Sequence, residues 1–330
     1  MTAGLTTPDV ETAAWHTHEP AIVRFDPAAM SWEFGNRRIR RRVVYREGGF
    51  RATECVDLKT GRSYQAEPSS EGHIVLRNGP TLDLGRHFRP GTPSHTVSER
   101  TDIKGGGVVG LTLHAVGTGP CEGIRVDVEY DLYPGDEPWM TKWFVIRTDD
   151  PADTRLRRPL RELSYGTLSC KAAVAPREVG HDIREGKTHR YSNASVLSDG
   201  DGGLVLSVEG TPGIRLAQDS DSKVRLCAKA SGISDVAAFL AEREGRTGKS
   251  IWVFFDGNAT RALWNYQLFL NQRWVKADCR TLPPFYKSWF RQWQSPEYWL
   301  EHSQEADLVP SVAAAAECGF RGYHLVSGIR

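Results

Sequence analysis

From Ala21 to about Val253 the chain is built of short β-prone segments separated by glycine, aspartate, asparagine and proline, with little helical patterning between them. Residues 40–45, 72–77, 108–115, 123–133, 139–147, 203–209, 224–228 and 250–255 are such segments. The strongest is 124–132, Ile-Arg-Val-Asp-Val-Glu-Tyr-Asp-Leu, where apolar and polar residues alternate without exception. Successive side chains of a strand point to opposite faces, so this pattern predicts an antiparallel strand with one face on a core and the other in water. Turn chemistry agrees at Lys59-Thr60-Gly61-Arg62, Arg77-Asn78-Gly79-Pro80, Pro134-Gly135-Asp136 and Asp199–Gly203. Many short strands at this spacing predict a mainly β fold, a large antiparallel sandwich bigger than an immunoglobulin domain. With no internal repeat, a propeller is disfavoured.

The patterning then changes. Ser234-Asp235 starts a short helix through Glu244, and Leu263, Tyr266, Phe269 and Leu270 give helical spacing over 260–274. Leu282-Pro283-Pro284 stops what precedes it, because the residue before proline avoids the helical region. Residues 285–290 then read as an aromatic strand. Ser295-Pro296-Glu297 is a helix start, 307–318 is an Ala-rich helix stopped by Gly319, and 322–327 is a second strand. Strand, helix, glycine, strand is the repeating unit of a (β/α)8 barrel, but a closed barrel needs roughly 250 residues and 283–330 holds one unit and a second strand. The expected organisation is a lead-in at 1–20, a sandwich at 21–257, a helical linker at 258–282 and an incomplete barrel at 283–330.

Charge narrows the partners. The 42 Lys and Arg nearly cancel the 41 Asp and Glu, so no global field favours nucleic acid or an anionic membrane. The cluster Arg37, Arg38, Arg40, Arg41 and Arg42 is the local exception; strand alternation sends some of these to a solvated face, against the alternative of a phosphate site. Cys55, Cys121, Cys170, Cys227, Cys279 and Cys318 are scattered without Cys-x-x-Cys or zinc-ligand spacing, which predicts isolated buried thiols in a reducing compartment. The first twenty residues lack a signal-peptide pattern and no apolar run is long enough to span a bilayer, so a soluble, cytoplasmic protein is expected. No cofactor or metal is expected either. His16 and His18 lie in a loose N-terminus with nothing to orient them. Gly105-Gly106-Gly107 lacks the Lys-Ser/Thr of a phosphate loop and reads as a turn.

Two stretches carry a family resemblance. Pro283-Pro284-Phe285-Tyr286-Lys287-Ser288-Trp289 resembles the first barrel strand of the retaining α-galactosidases of glycoside hydrolase family 36, and Ala313–Phe320 is similar to the Ala-rich first barrel helix with its glycine stop. The resemblance implies a galactose-mutarotase-like β-supersandwich, a helical linker and the start of a (β/α)8 barrel. It also implies the N-terminal portion of an α-galactosidase-like hydrolase acting on α-linked galactosides or related oligosaccharides. The family's catalytic Asp pair sits on the fourth and sixth barrel strands, beyond Arg330, so no residue here is assigned a catalytic role. Glu297, Glu301 and Glu305 recur on one solvated helix face.

For substrate binding, Trp289 at the end of the first barrel strand is the leading candidate, its ring stacking on a sugar or, alternatively, packing at the sandwich–barrel junction. Tyr286, Lys287 and Ser327 follow. Two departures stand out: Lys287 replaces the family's Asn, and Val326-Ser327-Gly328-Ile329 replaces Asp-Asp-Gly-Trp. The expected partner is an oligosaccharide, with a homo-oligomer or a second chain completing the barrel. Two other readings stay open: a carbohydrate-binding or assembly module without catalysis, and a sugar mutarotase drawing general acid/base groups from His73, His87, His95, His114 and Glu129.

Overall fold

The computed structural model describes residues 10–12, 21–76, 78–150, 155–156, 160–169, 175–179, 183–184, 187–188, 194–198, 201–208, 214–220, 223–229, 244–274, 285–287, 313, 317 and 322–324. The chain divides into two compact units, Met1–Trp274 and Val275–Arg330.

Alternation and turn chemistry organise the first unit into three larger antiparallel sheets and a two-stranded pair, Ile183–Arg184 with Lys187–Thr188. A meander of Val10–Thr12, Ile22–Asp26, Ser31–Gly35, Ile39–Arg46, Gly49–Asp57 and Arg62–Ser63, with Ser69–Ser70 on the side, makes the first. The largest runs in the order Phe88–Thr101, Gly107–Gly117, Ile124–Leu132, Trp139–Thr148, Ser250–Asp256, Gly202–Val208, Ala194–Ser198 and Ala175–Val179, and Glu244–Arg246 pairs with Trp139–Thr148. A third joins Ile214–Ser220, Lys223–Lys229, Leu160–Ser169, His73–Leu76 and Thr81–Asp83. The segments read from the sequence reappear with boundaries shifted by a residue or two.

One core draws on all three sheets. Trp32, Phe34 and Phe50 come from the first, Leu111, Val126, Val128, Phe144, Leu206 and Trp252 from the largest, and Ile74, Leu163 and Tyr165 from the third. Each such side chain contributes roughly 1.5–3 kcal/mol on burial, which makes this cluster the main source of stability.

One expectation changes. Most of the polar face of Ile124–Leu132 is sheltered: Asp131 keeps 3% of its surface exposed and Asp127 keeps 8%, because the long side chains of Lys249 and Arg147 lie over them, while Arg125 at its start stays exposed. Within the arginine cluster, Arg37 and Arg40 are exposed as expected. Arg38 and Arg41, however, point inward to buried carboxylates, Asp57 and Glu71. The helix expected over 234–244 falls on residues outside those described, except that Glu244 itself begins a short strand. The turn at 102–106 is as expected: Asp102 Oδ1 accepts from the amides of Lys104 and Gly106 at 2.8 Å, and Gly105 takes a positive φ of 85°. Cys55 and Cys121 are buried and form no disulfide; the other four cysteines lie outside the residues whose side chains are described.

The helix expected over 260–274 forms as Ala259–Phe269 followed by a π-helical turn, Leu270–Trp274. Asn258 Oδ1 accepts from the Arg261 amide at 3.2 Å, which caps the first turn. Ala262 and Phe269 are buried among Val108, Tyr133, Trp139, Val205, Ile251 and Val253, a second core on one end of the largest sheet. This helix therefore packs as part of the sandwich unit.

In the second unit Phe285–Lys287 and Gly322–His324 pair in parallel, Phe285 with Gly322, Tyr286 with Tyr323 and Lys287 with His324. Ala313 and Glu317, between them in the chain, are helical and exposed. This parallel pair contrasts with the antiparallel pairings of the described sandwich strands. The helix expected from Ser295 lies outside the described residues.

Candidate functional site

A parallel sheet presents its ligand site at the carboxyl ends of its strands. The register brings the end of one strand, at Lys287, beside His324 at the end of the other. Tyr286 and Lys287 thus lie on the first of these strands, at the end where a barrel site would open. Trp289 and Ser327 lie outside the described residues.

The sandwich contributes a second polar constellation that sequence reading missed. It occupies the face of the largest sheet opposite the main core, where Asp127, Glu129 and Asp131 stand in a row on one strand. Asp127 bonds His114 Nδ1 at 2.7 Å and also Arg147. Burial pushes its carboxyl up, but those two donors outweigh burial and hold it below the usual aspartate range. Glu129 takes Arg100 at 2.6 Å and the Thr112 hydroxyl at 2.9 Å. Asp131 takes Lys249 Nζ at 2.6 Å and the Thr141 hydroxyl at 3.3 Å. Trp143, directly opposite Glu129, has Lys249, Arg246 and Arg100 over its ring at 4.1, 5.1 and 5.6 Å.

Chemically, this face is an ordered ladder of ion pairs. Each of its carboxylates accepts from a cation and a further donor. The alternation of Asp127, Glu129 and Asp131 was visible in the sequence. Their cations were not, since Arg100, Arg147 and Lys249 arrive from three other places in the chain.

The acid/base pool considered for a mutarotase does not converge. His73 bonds Glu162 at 3.3 Å in the third sheet, and His95 packs against the Phe25 ring at 4.7 Å. His87 is half-buried, in the turn ahead of Phe88–Thr101. Only His114 shares a face with Glu129, and both its ring nitrogens are engaged, Nδ1 by Asp127 and Nε2 by the Thr96 hydroxyl at 2.6 Å. Among the described residues, no group of three His, Cys, Asp or Glu is arranged to hold a metal ion, and no helix is long and apolar enough to cross a membrane.

No family model matches the chain, and no curated protein matches it. Solved structures do. The galactosidase domain of AgaSK, an α-galactosidase–sucrose kinase, superposes with a TM-score of 0.55 at 10% identity over 91% of this chain and 50% of its own. The family 36 α-galactosidase AgaB from Geobacillus stearothermophilus gives 0.51 at 11% identity over 91% of this chain and 49% of its own. A variant of AgaA from the same organism, in complex with 1-deoxygalactonojirimycin, gives 0.52 at 11% identity, covering 89% and 49%. The chain therefore has the fold of the N-terminal part of the family 36 α-galactosidases, and it spans about half the length of these proteins.

Proposed function

We propose that this chain is the N-terminal portion of an α-galactosidase-like retaining glycoside hydrolase acting on α-linked galactosides or related oligosaccharides in the cytoplasm. The observation that carries this reading is the parallel pairing of Phe285–Lys287 with Gly322–His324, which follows an otherwise antiparallel sandwich in a chain folded like the family 36 enzymes. In this reading residues 21–257 form the supersandwich, 258–282 the linker and 283–330 the first part of the barrel. Retaining hydrolysis needs two carboxyls about 5–5.5 Å apart, and these belong to later barrel strands, supplied by continuing chain or by a second chain. Trp289 stacks on the sugar, and Tyr286, Lys287 and Ser327 line the same subsite. The engagement of His114 and Glu129 by protein partners weighs against the mutarotase reading.

The test is hydrolysis of aryl α-galactosides by the 330-residue chain and by a chain extended through its downstream coding sequence. Turnover by the extended chain alone is expected, with KM raised about tenfold or more by Trp289→Ala, the loss of one stacking contact worth ~1.4 kcal/mol. Turnover by the 330 residues alone, or catalysed anomer exchange of free galactose, would overturn the reading.

A further inference from the structure

On the first sheet one cross-strand row of side chains is interrupted. Ile22, Gly35 and Arg40 stand side by side on three adjacent strands. Gly35 cannot carry a side chain: its φ is 149°, and a Cβ there would come within 1.9 Å of the Ile39 carbonyl oxygen. A hollow of about 170 Å³ opens at this gap, lined by apolar Ile22 and Leu58 and by charged Arg24, Glu33 and Arg40. Leu58 keeps 39% of its surface exposed there, one of few large apolar side chains among the described residues to do so. The chain beside the gap is held firmly. Asn36 donates through Nδ2 to the carbonyls of Tyr133 and Glu137 at 2.9 Å, and its Oδ1 accepts from the amides of Arg38 and Ile39 at 2.8 Å.

Charge around the hollow is balanced, while its hydrogen-bonding capacity is only partly used. Arg24 faces Glu33 across the strands with Nη1 3.5 Å from Oε1, longer than the roughly 2.7–2.9 Å of a charge-assisted hydrogen bond. Arg40 gives Nε to Glu54 Oε1 at 2.5 Å, a bond that does not involve its two Nη nitrogens. Two arginines thus meet two glutamates, and no net charge draws an anion. The side chains of Arg24 and Glu33 keep 58% and 37% of their surface exposed, and an exposed pair of this kind contributes little to stability. Both groups can therefore turn to a ligand without loss to the fold.

A ligand that suits such a hollow is uncharged, carries donors and acceptors together, and has an apolar patch to set against Leu58 and Ile22. An anion would be repelled by Glu33, and a cation by Arg24 and Arg40. A hydroxyl group both donates and accepts, so it can accept from a guanidinium while donating to a carboxylate, which only accepts. Volume sets the size: a cavity of about 150 Å³ takes one benzene molecule, so this hollow takes one six-membered ring. We infer that it is a binding site for a single neutral pyranose ring, its hydroxyls bridging Arg24, Glu33 and Arg40 and its C–H face lying on Leu58 and Ile22. All of these residues belong to the first unit, so binding here needs nothing from the parallel strands of the second and does not depend on α-galactosidase activity.

The test is methyl-resolved NMR of the 330-residue chain labelled at its isoleucine and leucine methyls. The probes are the methyl α-pyranosides of galactose, glucose and mannose, together with raffinose. At least one pyranoside should shift the Ile22 and Leu58 signals saturably, with Kd of about 1–10 mM for so small a contact. Raffinose shifting the same signals would identify the ligand as the end residue of an oligosaccharide, and raffinose without effect would identify it as a free sugar. Phosphate over the same range should leave both signals in place. Glu33→Ala should weaken binding about tenfold or more at unchanged Tm, and Glu33→Gln, which keeps an acceptor oxygen, should weaken it less. The titration of the unaltered chain stands even if a variant does not fold. No shift with any pyranoside up to about 100 mM, equal shifts with phosphate, or an unchanged Kd in Glu33→Ala overturns the assignment.

Discussion

A carboxylate without exposed surface survives only when its charge is answered, and Glu71 is answered from three directions by Arg41, Lys142 and Tyr130. Burial pushes its carboxyl up, but Arg41 and Lys142 outweigh burial and hold it below the ordinary glutamate value of 4.5. A depressed folded-state value means the stabilisation is present above the unfolded value and is lost as pH falls through the folded one. Glu71→Gln should therefore cost about 3–5 kcal/mol at neutral pH, since it strands two buried cations. In urea titrations from pH 7 downwards the variant should also lose less further stability than the parent below about pH 4.5. An unchanged acid limb would show that Glu71 is not the group responsible. Lys142, by contrast, is drawn down to about 8 by burial against the pull of Glu71. None of this was legible at the residue scale, because Arg41 is one of five neighbouring arginines and nothing local marks it as the one that faces Glu71.

At the scale of elements, the helix Ala259–Phe269 and its π-helical turn show how a period can be read while an anchor cannot. Spacing of apolar residues located the helix. Its end is secured by partners far away in the chain. Arg273 donates to Glu137 through Nε at 3.1 Å and through Nη2, and to Asp102 through Nη1 at 3.3 Å. Lys104 Nζ caps the Asn271 carbonyl at 2.6 Å, satisfying one of the acceptors a helix end leaves open. These bonds hold the five-residue π turn, a geometry rare without such support. Arg273→Ala should lower stability by about 1.5–3 kcal/mol, the range for hydrogen bonds to charged groups. Amide exchange should accelerate over 259–274 while Ile124–Leu132 keeps its protection. Equal acceleration in both would mean that the turn is not held locally.

For the whole molecule, the expectation is that the sandwich unit folds on its own core, without the second unit. Limited proteolysis within 275–284, between the π turn and the first parallel strand, should leave a core ending near Trp274 with the parent's thermal transition. Loss of that transition on cleavage would show that the sandwich needs the second unit.

Hydrophobic alternation with period two, and turns at glycine and proline, were sufficient for a chain of this composition to declare a mainly β fold, its strand positions and the later switch to a parallel unit. Those signals are local, and secondary structure follows them because backbone geometry and burial of one face act over a few residues. The same alternation misled about Ile124–Leu132, most of whose polar face is sheltered by cations from elsewhere in the chain. Which charges meet across sheets depends on pairings between residues a hundred or more positions apart, as Arg38 with Asp256 and Lys249 with Asp131 illustrate. Coulomb attraction and desolvation act on distance in space, so only the tertiary structure decided that two buried cations share one carboxylate and that the row of acids on the sheet face is saturated.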